Sequence, residues 1–338
     1  MASFTKPNKL NIGDKVATVS LSGGRAGDAD MLSRYALGKR RLEAIFGLTV
    51  VEMPNSLRGS EFLYRNPKAR ADDFMAALSD PDIKGIFLNM GGDEGIRLLP
   101  YIDFAVIKQN PKVFLGFSDG STFHQMFTQA GVTSFYGANV LATLAEPFAL
   151  HPYTIKWIRK ALFSTEPMGQ IEPCEAWTPI DWTSTKPEEL TWTMHEGYKV
   201  YQGAGTVTGH LMGGCGGPFR LMLGTSLLRD KGIWKDCILF LEAGINYGSK
   251  LAGVHEMRAL AAAGIFREAK ALVLPRLPED VVADVILKVL HEDGLTNLPV
   301  LTGVEFAHSN PMTVLPIGVE AEVDCDKRTF TILESGVV

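Results

Sequence analysis

Short apolar runs that alternate with helical patterns are the feature of this 338-residue chain that most constrains its fold. In the first half, β-branched and other apolar residues concentrate in four runs, at residues 15–20, 48–53, 85–90 and 112–117. After the second run, residues 69–78 carry apolar side chains at helical spacing, and Pro67 suits the first turn of that helix. This alternation predicts βαβ units, and hence an N-terminal α/β domain with a mainly parallel sheet over residues 1–165.

The second half repeats the alternation after an irregular connection. Residues 166–205 contain scattered prolines and tryptophans and show no clear period, which predicts a long connecting segment. Apolar runs then return, at residues 205–212, 237–242, 270–275 and 298–303. The tail over residues 313–334 alternates apolar and polar residues as a hairpin does. We therefore expect a C-terminal α/β domain, richer in strands, over residues 206–338.

Composition and charge exclude several classes of protein. The chain is 46% hydrophobic and carries a formal net charge of -5, so it offers no broad basic field to a nucleic acid polymer. No apolar run is long enough to cross a membrane, and the first residues lack the apolar core of a secretory signal. The four cysteines form no C-x-x-C pair, which argues against a zinc site or a disulfide framework. We expect a cytoplasmic protein without metal or cofactor that acts on a small molecule or peptide.

A serine between two glycines is the sharpest local motif. Gly116-Phe-Ser118-Asp-Gly120 follows an apolar run directly and precedes a helical stretch over residues 121–130. A serine on a tight strand-to-helix turn is held clear of the backbone at a helix N-terminus, as nucleophiles are. The pattern makes Ser118 a candidate nucleophile, although an ordinary strand-to-helix turn would also account for it.

A nucleophilic serine needs a base and an acid that orients the base. Of the seven histidines, His308 lies just past a predicted buried strand, in a loop broken by Pro311, where catalytic side chains often lie. His195 lies in polar surroundings and is interpreted as a surface or incidental residue. Glu242 ends a very apolar run, where a buried carboxylate needs a partner that His308 can supply. A glutamate that faces water at the end of its strand is the alternative.

Acyl transfer also needs donors for an oxyanion. Gly92 follows the strand predicted at residues 85–90, at the same edge of the sheet as Ser118. The backbone N–H groups of Gly92 and Asp119 are the natural pair of donors. A plain glycine turn is the alternative interpretation for Gly92.

With these residues assigned, the sequence resembles the LD-carboxypeptidase family, in particular its microcin-immunity branch. The resemblance extends over nearly the whole chain. The motifs that carry it include residues 65–73, 91–93, 97–103, 116–119, 209–215, 240–242 and 308–318. It implies a Ser118–Glu242–His308 triad at the interface of two domains, with the serine on the first domain and the other two residues on the second.

The resemblance also implies a substrate class and a site of contact. Family members cut the terminal D-alanine from murein tetrapeptide, or an amide that joins an aminoacyl or peptidyl group to a nucleotide. Trp177 and Trp182 lie in a segment similar to the branch's base-stacking loop, and a homodimer is implied. Ala307 and Asn310 depart from the family's usual glycine and aspartate beside the histidine. Two other interpretations stay open: an esterase of the α/β-hydrolase type, and a binding protein without catalysis.

Overall fold

A computed structural model describes residues 4–180, 190–228, 231–243 and 250–338. In these ranges the chain forms a six-stranded sheet, an eight-stranded sheet and a small three-stranded sheet. The mixed α/β fold with a parallel sheet in its N-terminal part is confirmed. Among the described residues, no helix is both long and apolar enough to cross a membrane.

The six-stranded sheet takes its parallel strands from the first half of the chain. These are β1 (Lys15–Val19), β2 (Thr49–Glu52), β3 (Ile83–Leu88), β4 (Val113–Gly116) and β5 (Ser134–Tyr136). Their order in the sheet is β2-β1-β3-β4-β5, and each neighbouring pair is parallel. The order reverses between β1 and β3, and open α/β sheets bind ligands at the carboxyl ends of strands beside such a reversal.

Helices cover this sheet, and among β1, β3, β4 and β5 only Lys15 and Lys84 are exposed. The helices are α1 (Leu32–Phe46), α2 (Ser60–Arg65), α3 (Pro67–Ser79), α4 (Phe104–Gln109), α5 (Ser121–Ala130) and α6 (Pro152–Leu162). All four residues of β4 are buried, as expected for a central strand of a parallel sheet. The predicted helices at residues 69–78 and 121–130 are confirmed by α3 and α5.

The second half supplies the other strands. In chain order they are β6 (Gly169–Ile171), β7 (Ala176–Pro179), β8 (Thr193–Met194), β9 (Lys199–Gln202), β10 (Thr206–Cys215), β11 (Cys237–Glu242), β12 (Ala269–Leu274), β13 (Val300–Thr302), β14 (Ser309–Asn310), β15 (Leu315–Ile317), β16 (Glu320–Asp324) and β17 (Thr329–Ile332). The eight-stranded sheet has the order β6-β17-β16-β10-β11-β12-β13-β9. Strands β10 to β13 are parallel, and the outer strands are antiparallel.

Shorter helices pack around this second sheet. They are α7 (Gly216–Met222), α8 (Lys250–Ala262), α9 (Ile265–Glu268), α10 (Glu279–Val281) and α11 (Lys288–Glu292). A π-helical stretch, Val282–Leu287, joins α10 to α11 through a wider turn.

Two features differ from a simple division into halves. The connecting segment at residues 166–205 is not irregular throughout, because β6 and β9 form both edges of the eight-stranded sheet and β7 pairs with β14. Strand β15 leaves the second half and pairs antiparallel with β5 of the first sheet. Such pairings join residues far apart in sequence, and a local hydrophobic period contains no signal for them.

Candidate active site

The candidate nucleophile lies on a strained turn at the carboxyl end of β4. Ser118 adopts a φ of 62°, a left-handed conformation that costs a non-glycine residue on the order of 1–3 kcal/mol. It opens a 3₁₀ turn, Ser118–Gly120, that leads into α5. Gly116 permits the turn to approach β3, since a Cβ there would lie 2.8 Å from the Cβ of Leu88. The half-buried serine therefore points away from its strand at a helix N-terminus.

A glycine pair from the next strand lies against this serine. A Cβ on Gly91 would lie 2.8 Å from Ser118 Cβ and 3.0 Å from its Oγ, so no side chain fits at that position. Gly92 adopts a φ of 148°, and a Cβ there would lie 2.5 Å from Ser22 Oγ. The loop after β3 thus presents bare backbone beside the serine hydroxyl.

The side chain of Asp119 fixes the turn that carries Ser118. Its fully buried carboxylate accepts hydrogen bonds from Ser22 Oγ at 2.5 Å and from the Gly95 backbone amide at 2.7 Å. Burial raises the pKa of this carboxyl, while the hydrogen bond from Ser22 opposes the rise. Asp119 thereby ties the nucleophile turn to the loops that follow β1 and β3, and these three loops form one rim.

The acid and the base come from the second sheet. Glu242 is the last residue of β11 and is fully buried. Its Oε1 bonds Nδ1 of His308, and its Oε2 accepts a hydrogen bond from the Tyr136 hydroxyl at 2.8 Å. Burial lowers the pKa of His308, but the charge and hydrogen bond of Glu242 outweigh burial and leave that pKa raised. Because Nδ1 bonds Glu242, a proton exchanged with a reacting group would pass through Nε2.

Strain and aromatic packing orient the His308 ring. The preceding residue, Ala307, has a φ of 80°, where glycine is the residue without a steric cost. The ring centroid of His308 lies 5.0 Å from that of Phe117, the residue before the nucleophile, in an edge-on contact. Asn310 donates from its side-chain amide to the buried carboxylate of Glu146 at 2.5 Å. An aspartate at position 310 would place its carboxylate against that of Glu146, so the asparagine found there is compatible with Glu146.

These residues share one cleft of about 410 Å³. Ser118, His308, Gly91, Gly92 and Phe117 line it, together with Met90, Asp93, Asn139, Ala142 and Ile180. A cleft of this size falls within the range of small-molecule sites. The structure thus brings Ser118, Gly92 and His308 to one cavity, with Glu242 buried behind the histidine. Within the described part of the chain, no three His, Cys, Asp or Glu side chains are grouped as metal ligands are.

Of the two candidate tryptophans, Trp177 is described by the structure and does not line this cleft. Trp177 lies on β7 in a separate cavity of about 290 Å³, with the Arg276 guanidinium 4.6 Å from its ring centroid. It precedes by three residues Ile180, which does line the cleft. Trp182 lies outside the described residues.

Sequence reasoning missed several residues of the site. Tyr136 carried a usable signal, because it ends the run that follows α5 and so reaches the same sheet edge as Ser118. Gly91 was within the recognised motif, but contact with Ser118 is visible only in three dimensions. His195 was interpreted as a surface or incidental residue, and the surface position is wrong: its side chain is only 2% exposed and lies 2.7 Å from Glu305.

Comparison with known proteins assigns a class to this arrangement. The LD-carboxypeptidase N-terminal domain matches residues 16–137, and the LD-carboxypeptidase C-terminal domain matches residues 208–323. The chain therefore belongs to the LD-carboxypeptidase family and is a serine-type carboxypeptidase or amide hydrolase.

Individual relatives refine the comparison. A candidate carboxypeptidase of Vibrio cholerae is 28% identical, with 96% of each chain covered, and the microcin C7 self-immunity protein MccF of Escherichia coli is 27% identical, with 82% of each covered. An MccF-like protein of Streptococcus pneumoniae, solved with AMP, superposes with a TM-score of 0.84 at 26% identity, over 94% of this chain and 98% of that one. MccF itself has been solved with aspartyl sulfamoyl adenosine; its TM-score is 0.82 at 22% identity, over 99% of this chain and all of that one.

Proposed function

We propose that this protein hydrolyses an amide bond with Ser118 as nucleophile, His308 as general base and Glu242 as the acid that orients the base. One observation carries the proposal: Ser118, on a strained turn, and His308, bonded through Nδ1 to buried Glu242, line the same cleft. A serine presented in this way beside a histidine with a fixed tautomer is the arrangement that acyl transfer requires.

The proposed reaction proceeds in two halves. Nε2 of His308 takes the proton of Ser118 Oγ as Oγ attacks the amide carbonyl, and the imidazolium then gives this proton to the leaving nitrogen as the C–N bond breaks. Water attacks the resulting ester, and its proton passes through His308 back to Ser118. Glu242 stabilises the imidazolium in both halves, in line with the raised pKa of His308 beside this carboxylate.

The backbone amides of Gly92 and Asp119 are the proposed donors to the oxyanion. Gly91 lies against Ser118 with Gly92 next to it, and Asp119 is the second residue of the turn that leads into α5, whose N-terminus favours negative charge. Losing one such donor costs on the order of 3 kcal/mol of transition-state stabilisation in other hydrolases.

The proposed substrate is an aminoacyl or peptidyl group joined by an amide to a nucleotide. The MccF relative and the AMP complex of the Streptococcus pneumoniae protein support this class. Trp177 or Trp182, which flank the cleft-lining Ile180 in the sequence, would then contact the base, and contact by Trp177 requires that part of the substrate enter its separate cavity. A cytoplasmic location and a homodimer are part of the proposal.

The α/β-hydrolase alternative is less compatible with the fold. In that fold the triad comes from one sheet, whereas here Glu242 ends a strand of the second sheet and Ser118 follows a strand of the first. A protein that only binds its ligand would have no use for the strain at Ser118. Murein peptide is the alternative substrate, since a relative from Bacillus subtilis, 25% identical, carries that assignment.

Mass spectrometry of purified protein tests the proposal. We expect cleavage of the amide in aspartyl sulfamoyl adenosine, and loss of about six orders of magnitude in rate for Ser118→Ala, since triad residues act as a unit. Ser33→Ala, which removes an exposed hydroxyl from α1, is the matched control.

Three results would revise the proposal. Serine-dependent release of D-alanine from murein tetrapeptide would change the substrate class but not the triad. Cleavage of simple esters but of no amide would favour the esterase. An unchanged rate for Ser118→Ala would overturn the assignment of the nucleophile.

A further inference from the structure

We propose that Tyr136 is a positioning residue of this site, whose hydroxyl joins the Glu242 carboxylate to the backbone amide of Ser118 and sets the basicity of His308. The inference rests on the proposed triad. It adds a fourth side chain that contributes no atom to the reaction and determines how the other three are held.

Tyr136 has little freedom to move. It ends β5, its side chain is fully buried, and its ring packs against Phe117, Phe240 and Phe306 with centroid distances of 6.4, 5.2 and 6.4 Å. Two of these rings belong to the second half of the chain and one belongs to the nucleophile turn. A hydroxyl fixed to this ring therefore has one position relative to both sheets.

The direction of both hydrogen bonds follows from the atoms involved. The hydroxyl donates its proton to Glu242 Oε2 at 2.8 Å, because a carboxylate can only accept. The same oxygen accepts from the Ser118 backbone N–H at 3.4 Å, because an amide can only donate. Burial and the neighbouring carboxylate raise the pKa of Tyr136 well above its usual range, so it remains a neutral donor.

Each oxygen of Glu242 consequently has one partner. Oε1 bonds His308 from the loop after β13, and Oε2 bonds Tyr136 from the first sheet. With both oxygens held, the carboxylate plane cannot rotate away from the imidazole. The Ser118 amide, in its left-handed conformation, is held by the same hydroxyl. Tyr136 is thus the link through which the nucleophile turn and the acid keep a fixed separation.

The hydroxyl also lowers the basicity of the pair. A hydrogen bond to a carboxylate stabilises its negative charge and weakens its pull on the imidazole proton. Removing that bond should strengthen the pull and raise the pKa of His308 further. Since His308 must be neutral to accept the serine proton, the acid limb of the activity profile should then move to higher pH.

Other ionisable groups lie near Glu242, His308 and Tyr136, and none of them is substituted in this test. They are Cys215 opposite Glu242 on β10, His124 on α5, Glu256 on α8 beyond Gly216, Asp119 below the turn and Asp93 at the cleft. Burial raises the pKa of the Cys215 thiol well above its usual range and lowers the pKa of His124 to about 4. Both are therefore neutral near pH 7, and the Tyr136 hydroxyl makes its hydrogen bonds in the described structure to Ser118 and Glu242 rather than to any of these five groups.

The test measures the rate of Ser118 labelling by a fluorophosphonate between pH 5 and pH 9, which requires no knowledge of the natural substrate. For Tyr136→Phe we expect the limiting rate to fall about tenfold or more and the acid limb to move up by about half a unit to one unit. Tyr35→Phe is the matched control, because it removes another buried hydroxyl, bonded to Thr18 Oγ1 at 2.8 Å, and neither of these residues lines the cleft. The control should keep the wild-type profile.

A second variant tests the same role in case Tyr136→Phe does not fold. 3-Fluorotyrosine at position 136 keeps the ring and hydroxyl but makes the hydroxyl more acidic and a stronger donor, so the acid limb should move to lower pH. Serine-dependent labelling with an unmoved acid limb in both variants would overturn the role of Tyr136 alone. Equal labelling of wild type and Ser118→Ala would overturn the proposed function, and this inference with it.

Discussion

Gly91 lies so close to the nucleophile that no side chain fits at its position. A Cβ at this position would lie 2.8 Å from Ser118 Cβ and 3.3 Å from the Asp119 backbone nitrogen. The geometry of the site therefore requires a glycine here as well as the three triad residues. The Gly-Gly motif after β3 was recognisable in the sequence, but a residue pattern does not say which glycine touches the serine. That distinction depends on how two parallel strands align, which the hydrophobic period leaves undetermined.

Gly91→Ala should therefore impair catalysis more than stability. The added methyl group must displace the serine turn or the oxyanion loop, and a displacement of about 1 Å can cost a hundredfold in rate. We expect kcat/KM to fall about a hundredfold while Tm changes little. Steady-state kinetics and thermal unfolding, measured on the same preparation, would check both. Gly217→Ala is the control, because a Cβ there would meet its nearest neighbour only at 3.9 Å. Wild-type kinetics in a folded Gly91→Ala protein would contradict this reading of the contact.

At the scale of elements, the loop that carries His308 is held by a second buried carboxylate. Glu305 is fully buried, and its donors are His195, Arg276, Tyr153, Tyr198 and the Cys174 backbone amide. Burial raises its pKa, but the hydrogen bond from His195 and the charge of Arg276 outweigh burial and leave the pKa lowered. The connecting segment supplies most of these donors. Its weak sequence pattern hid this function, since a polar network between distant segments has no period.

Glu305→Gln should loosen this loop. A side-chain amide would present an N–H₂ group to donors that need an acceptor, and breaking a buried ion pair costs about 3–5 kcal/mol. We expect a lower urea midpoint and a reduced kcat together. Glu279→Gln, which removes an exposed carboxylate beside Lys199, should change stability by less than about 1 kcal/mol. Equal urea midpoints for the two variants would show that Glu305 does not anchor the loop.

At the scale of the whole molecule, the two sheets do not correspond to the two halves of the chain, because the first sheet includes β15 from the second half. The sequence was sufficient to predict β1 to β4 of the first sheet and β10 to β13 of the second, because each of these strands has its own apolar run. It did not predict β5, β6 or β9. It did not predict that β15 completes the first sheet or that Val338 exchanges backbone hydrogen bonds with Pro7 and Lys9. Both contacts join distant parts of the chain, and a local hydrophobic pattern does not specify the distant segment with which a strand or a terminus pairs.

The fragment formed by residues 1–165 should consequently fail to fold alone. It lacks the side chains of Val314, Leu315 and Ile317, all fully buried, and their loss removes about 5–9 kcal/mol of burial free energy. That loss is comparable with the entire stability of an ordinary domain. It also exposes the edge of β5 beside Phe135 and Tyr136, which favours aggregation.

Coexpression of residues 1–165 with residues 166–338 provides the decisive comparison. Because the second fragment supplies β15, Glu242 and His308 together, we expect it to restore both soluble protein and fluorophosphonate labelling of Ser118. Size-exclusion chromatography and circular dichroism would follow the first fragment with and without its complement. A monomeric 1–165 fragment that unfolds cooperatively by itself would show that the first sheet needs no strand from the second half. The β15 pairing would then contribute to the position of the site rather than to the stability of the fold.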